Sequence, residues 1–192
     1  MFFTEAKFRR SVIELGEKRY FGHTCIAPFT AMEGQLSQDE SNVSIPEKIE
    51  GGTFDLNDFF VGRDRYLWLE KNVNVPESKE GCEVVGLFDF GDTGAGYNSG
   101  FESLLYVNRH PYQGVDTNHQ EVFFTNMEGQ NLTLNFVLWT GLEGGGVHRT
   151  FQHQCKKAHF AYLHKKSDYI LHDASDIFNR RRKVLVIFIF IL

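Results

Sequence analysis

The chain has 192 residues, 42% of them apolar, and a formal net charge of −5. At a soft prior of about 150 residues per domain, that length predicts one core domain with appendages. The acidic balance excludes a broad phosphate-neutralising surface, so no nucleic-acid partner is expected; the one dense basic cluster, Arg180 to Lys183, adjoins an apolar run at the end of the sequence.

Thr4 to Tyr20 opens the chain with Phe8, Val12, Ile13 and Leu15 near helical spacing, Thr4 as an N-cap and Gly16 as an early stop, which predicts one short amphipathic helix. Charges are interspersed among its apolar residues, so it lacks the continuous core of a secretory signal. Cys25, Cys82 and Cys155 stand at wide spacing with no C-x-x-C pair, which argues against a disulfide framework and a zinc ribbon and for reduced thiols in the cytoplasm. Sequons at Asn42 and Asn131 would matter only in an exported protein. Residues 33–58 are polar and nearly aperiodic, which predicts a surface connection wrapping the core with one short strand.

From residue 61 the pattern changes. Leu67, Leu69, Val73 and Val75 alternate with polar neighbours, Val84 to Phe90 follows a turn-like segment, Ser103 to Val107 gives a third strand, and Glu121 to Phe124 a fourth. Leu132 to Thr140 has the clearest period of two: Leu132, Leu134, Phe136 and Leu138 share one face, while Thr133, Val137 and Trp139 share the other. Apolar residues on both faces predict a central strand covered on both sides. Residues 153–178 read as a returning strand and then a helix. Nineteen phenylalanines and eighteen glycines fit short strands with tight connections. The expectation is a mainly β protein, a sandwich or jelly roll. Its parts are an N-terminal helix and wrapping segment (1–60), a β-sandwich (61–165), and a linker helix with an apolar tail (166–192). The nine apolar residues Val184 to Leu192 are too few to span a bilayer, which takes about 20 in a helix. Their β-branched and aromatic make-up suits an unpaired strand, which leaves self-association open.

Three stretches carry a family resemblance: RDRYLWLEKNVNVP at 63–76, VVGLFDFGDTGAGYNSGFESLLYVNRHPYQGVDTNHQEVFF from Val84 to Phe124, and LNFVLWTGLEGGG at 134–146. They resemble the N-terminal sandwich domain of family 38 α-mannosidases, and the likeness extends to about Asn179. It implies a jelly-roll or galactose-binding-like sandwich. It also implies a partner, the catalytic domain that follows the sandwich and opens with an H-x-H-x-D signature. No such signature occurs among the eight histidines. The resemblance therefore implies a non-catalytic fragment. Retaining cleavage of α-mannosides, with an aspartate nucleophile and zinc or another divalent metal, would belong to the missing domain. Asn108-Arg109 departs from the family's usual Asn-Gly, and arginine at a positive φ is expected to weaken that turn.

Asp89-Phe90-Gly91 spells the kinase metal-binding triplet without the other kinase motifs, so it is expected to be a strand end. Gly94, Gly96 and Gly100 have the wrong spacing for a phosphate loop. His148, His153, Cys155 and His159 have ligand chemistry but fit no common finger, so no metal site is assigned. The residues suited to sugar hydroxyls, or to a domain contact, are Asn98, Glu102, Asp116, His119 and Glu121. Tyr97, Phe101 and Tyr112 are the rings able to stack on a sugar face. No catalytic residue is assigned, because glycoside hydrolysis needs two carboxylates held across one sugar. A stand-alone module binding α-mannosides is the alternative function.

Overall fold

The structure is a computed structural model that describes residues 4–34, 45–91, 102–141 and 151–177. Among the described residues, helix α1 (Thr4–Lys18) leads into twelve strands: β1 (Tyr20–Cys25), β2 (Phe29–Gly34), β3 (Gly52–Phe54), β4 (Phe59–Gly62), β5 (Tyr66–Asn74), β6 (Cys82–Asp89), β7 (Glu102–Val107), β8 (His110–Asp116), β9 (Glu121–Phe123), β10 (Asn131–Trp139), β11 (Phe151–Gln154) and β12 (Lys157–His164). A second helix, α2 (165–177), follows β12 directly. One sheet has the order β1-β12-β6-β9 and the other β3-β2-β5-β10-β7-β8, while β4 and β11 form a short pair of their own. Every pairing among the described residues is antiparallel.

Side chains alternate across each strand, so the two sheets bury one face each against the other. Phe29, Leu69, Leu105, Leu134 and Phe136 from the larger sheet meet Val84, Phe88, Val122, Phe124 and Phe160 from the smaller in one cluster. Phe136 sits at its centre, with ring centroids 4.8 Å from Phe88, 5.2 Å from Phe90 and 5.8 Å from Phe29. This is the expected mainly β sandwich. Strand β10 is interior to its sheet, and its period of two is explained by two covers. Leu132, Leu134, Phe136 and Leu138 enter the core, while Val137 on the opposite face packs with Trp68, Tyr106, Ile45 and Ile49.

Several elements depart from the expectation. Helix α1 runs through Gly16 to Lys18, and the space beside Gly16 is closed by Leu171 of α2 rather than by a turn. Residues 20–34, expected as helix end and wrapping segment, supply a strand to each sheet: β1 pairs with β12 and β2 with β5. Residues 110–116, between the third and fourth expected strands, form edge strand β8. A proline is tolerated there because an edge strand leaves one side of its backbone unpaired. Residues 45–50 lie on the outer face of the six-stranded sheet, where Ile45 and Ile49 are buried.

The β7–β8 turn holds Arg109 at a positive φ, as expected. Asn108 and Arg109 have φ of 49° and 66°, the two left-handed positions of a two-residue hairpin loop. Arg109 has a task that glycine could not perform. Its guanidinium donates to the carbonyl oxygens of Ile45 and Pro46, each at 2.9 Å, and so ties the wrapping segment to the turn. Asn108 is also engaged, its amide oxygen accepting from the Thr133 backbone N–H at 2.9 Å.

Candidate functional site

Asp116 ends β8 and organises the turn that follows. Its carboxylate accepts from the backbone N–H of Asn118 at 2.7 Å and of His119 at 2.8 Å, and lies 2.9 Å from His119 Nδ1. Burial pushes the Asp116 carboxyl up, but the His119 ring and the two backbone donors outweigh it and hold the group below its ordinary value. The turn fixes His119 Nδ1 against the carboxylate and leaves the ring largely exposed. Beside it, Gln113, Thr117, Asn118, His119, Gln120, Glu121 and Phe123 line an open cleft of about 490 Å³.

Strand register extends this group. Tyr66 opposes Trp139, Trp139 opposes Glu102, and Glu102 opposes Asp116, so four side chains stand in one row across β5, β10, β7 and β8. The Tyr66 and Trp139 rings are stacked, with centroids 6.3 Å apart and planes at 17°. Trp139 Nε1 donates to Asp64 at 3.0 Å, which sets the indole orientation. Both rings are half-buried, and burial pushes the Tyr66 phenol up. An aromatic pair beside two carboxylates and an imidazole supplies an apolar platform with hydrogen-bond acceptors at its edge.

The other candidates have different employment. Glu121 forms an ion pair with Arg19, which also reaches Asp168 of α2 at 2.8 Å. Its side chain therefore ties β9 to both helical segments, and the adjacent Tyr20 phenol is pushed far up by burial and by Glu121. Tyr112 stacks on Phe124 at 6.2 Å and donates its hydroxyl to the Phe123 carbonyl at 2.6 Å, bridging the two sheets. Tyr97, Asn98 and Phe101 lie outside the described residues, as do Gly94, Gly96, Gly100, His148 and the 184–192 run.

The remaining motifs are structural. Asp89-Phe90-Gly91 closes β6: the Asp89 carboxylate accepts from Gly91 N–H at 2.8 Å, and the Phe90 carbonyl accepts from Gln154 N–H at 2.7 Å. His153 is fully buried and hydrogen-bonded through Nε2 to the Trp139 carbonyl at 2.8 Å; burial holds its pKa below the ordinary value. Cys155 is buried, and its thiol is pushed up to about 12, chiefly by desolvation. No group of three or more His, Cys, Asp or Glu among the described residues could hold a metal. No helix among the described residues is long and apolar enough to cross a membrane.

Fold and site together define a β-sandwich with a polar cleft and a half-buried aromatic pair, formed from loops and strand ends. No protein-family model matches the chain, and no curated protein matches it. Among solved structures it is similar to a carbohydrate-binding module, TmCBM61, in complex with β-1,4-galactotriose. The identity is 12% and the TM-score 0.28, over 78% of this chain and 93% of that one.

Proposed function

We propose that the chain is a non-catalytic β-sandwich unit of a glycan-degrading enzyme, and that the enzyme is a family 38 α-mannosidase. The observation that carries this reading is where the resembling stretches fall. They contain β5, most of β6, the β7–β8 hairpin, β9 and most of β10, strands drawn from both sheets, together with the turn at Asp116. The unit's work is to buttress a following catalytic domain and shape the approach to its active site. The chain itself contains no H-x-H-x-D signature, so α-mannoside cleavage and its zinc or other divalent metal are assigned to that domain. Cytoplasmic residence accompanies this reading, supported by three separate cysteine thiols. The test is hydrolysis of p-nitrophenyl α-mannoside by the chain alone and by a protein extended through the downstream coding region. Hydrolysis is expected only from the extended protein. Activity in the chain alone, or in neither, would overturn the proposal.

A second reading, a stand-alone carbohydrate-binding module, is favoured by the cleft beside Asp116 and His119 and by the Tyr66–Trp139 pair. Its ligand would be an α-mannoside. Calorimetric titration with oligomannosides distinguishes it: saturable heat that disappears in the Asp116→Ala, His119→Ala double variant supports this reading, and no heat at millimolar sugar opposes it.

A further inference from the structure

The far end of the same outer sheet face carries a polar ladder that neither reading uses. Three residues of β10 oppose three of β5 in register: Asn131 with Asn74, Thr133 with Asn72, and Asn135 with Glu70. Each rung is closed by a side-chain hydrogen bond. Asn74 Nδ2 donates to Asn131 Oδ1 at 3.0 Å, Thr133 Oγ1 to Asn72 Oδ1 at 2.7 Å, and Asn135 Nδ2 to Glu70 Oε2 at 2.9 Å.

Each internal bond fixes its partners' orientation while using only part of their capacity. Among the described residues, the Asn72 and Asn131 amide N–H₂ groups, Asn74 Oδ1 and Glu70 Oε1 keep donor or acceptor sites beyond these rungs. Asn135 is fully buried, and its Oδ1 has no partner among the described residues. A buried acceptor left without a partner loses its hydration uncompensated, so the innermost rung is polar beyond what sheet pairing requires. The two outer rungs line an open cleft of about 320 Å³. The wrapping segment separates this cleft from the Asp116 site, because Ile45 and Ile49 cover Trp68, Tyr106 and Val137 between them.

We propose that this ladder is a second binding surface, and that its ligand is a neutral oligosaccharide. The inference rests on the carbohydrate reading above for the ligand class, but on separate residues for the site. Fixed amides with both donors and acceptors unspent suit vicinal hydroxyls, each of which donates and accepts. The single carboxylate, Glu70, is held at the inner end by Asn135, away from the two outer rungs that face the cleft. Strand-borne side chains locked by neighbours form a more preorganised site than loop residues do.

The test is a ¹⁵N-resolved NMR titration of the full chain with α-linked mannotriose, following the side-chain amides of Asn72, Asn74 and Asn131 and the backbone amides of 117–121. Saturable shifts at the ladder amides are expected. In Asn72→Asp and Asn131→Asp, which retain side-chain shape but replace a donor with an acceptor, affinity should fall about tenfold each while thermal midpoints hold. Shifts confined to 117–121 would overturn the ladder site and leave the Asp116 cleft as the sugar site. Shifts nowhere would overturn both binding sites, whereas the mannosidase-unit reading stands or falls by the hydrolysis assay.

Discussion

Replacing Arg109 separates two opposed contributions at the β7–β8 turn. Left-handed backbone costs an L-residue about 1–2 kcal/mol, which glycine avoids, although glycine gives the unfolded chain more freedom and reduces the net gain to about 1 kcal/mol. Against this stands the tether. The guanidinium bonds to Ile45 and Pro46 share one nitrogen and lie near the surface, so the pair contributes about 2 kcal/mol, near the low end for charged donors. Arg109→Ala loses the tether and keeps the strain, and is expected to destabilise by about 2 kcal/mol. Arg109→Gly loses the tether and sheds the strain, for a net loss of about 1 kcal/mol. The assay is urea unfolding followed by tryptophan fluorescence, since Trp68 is only 2% exposed and packs under the segment that Arg109 holds. The predicted order is wild type above Arg109→Gly above Arg109→Ala, with unchanged m-values. An Arg109→Gly variant more stable than wild type would refute the tether and restore arginine as simply a poor turn residue.

Other consequences are equally direct. A methyl group on Gly86 would lie 2.5 Å from Phe88 Cε2 and 2.9 Å from Phe124 Cε2, so Gly86→Ala is expected to cost about 1–3 kcal/mol by overpacking, read as a lower denaturation midpoint. His153 and His159 both have pKa values held below the ordinary 6.5, chiefly by burial, so the unfolded chain takes up protons first as pH falls. Their stability contribution is complete above 6.5 and diminishes as pH drops from there toward the lower folded values; His153→Gln should flatten that slope in melts taken across the range. Asp116 behaves in the same sense at lower pH: its contribution is complete above 3.8 and lost as pH falls through its lower folded value, and Asp116→Asn should abolish that loss.

How far the sequence alone discloses the fold depends on where each strand sits. Strand β10 is legible because both its faces are covered, so the period of two is uninterrupted from Leu132 to Leu138. Strands β1 and β8 are obscured because they are sheet edges. β1 is almost wholly exposed and bulges between Phe21 and Thr24, while β8 contains Pro111 and Gly114, residues that signal turns. At the site, the Asp116–His119 turn is local and can be anticipated from residue types. The Tyr66–Trp139–Glu102 row is set by register between strands distant in sequence, and only the outward position of Trp139, opposite in phase to Leu138, hinted at it. The engagement of Glu121 by Arg19 spans 102 residues and has no local signal at all.

The proposal that this sandwich is a unit of a family 38 α-mannosidase is decided by reading the coding DNA past the codon for Leu192 in all three frames. An H-x-H-x-D signature and barrel-like segments are expected downstream. Their absence in every frame would contradict it and leave the binding-module reading in its place.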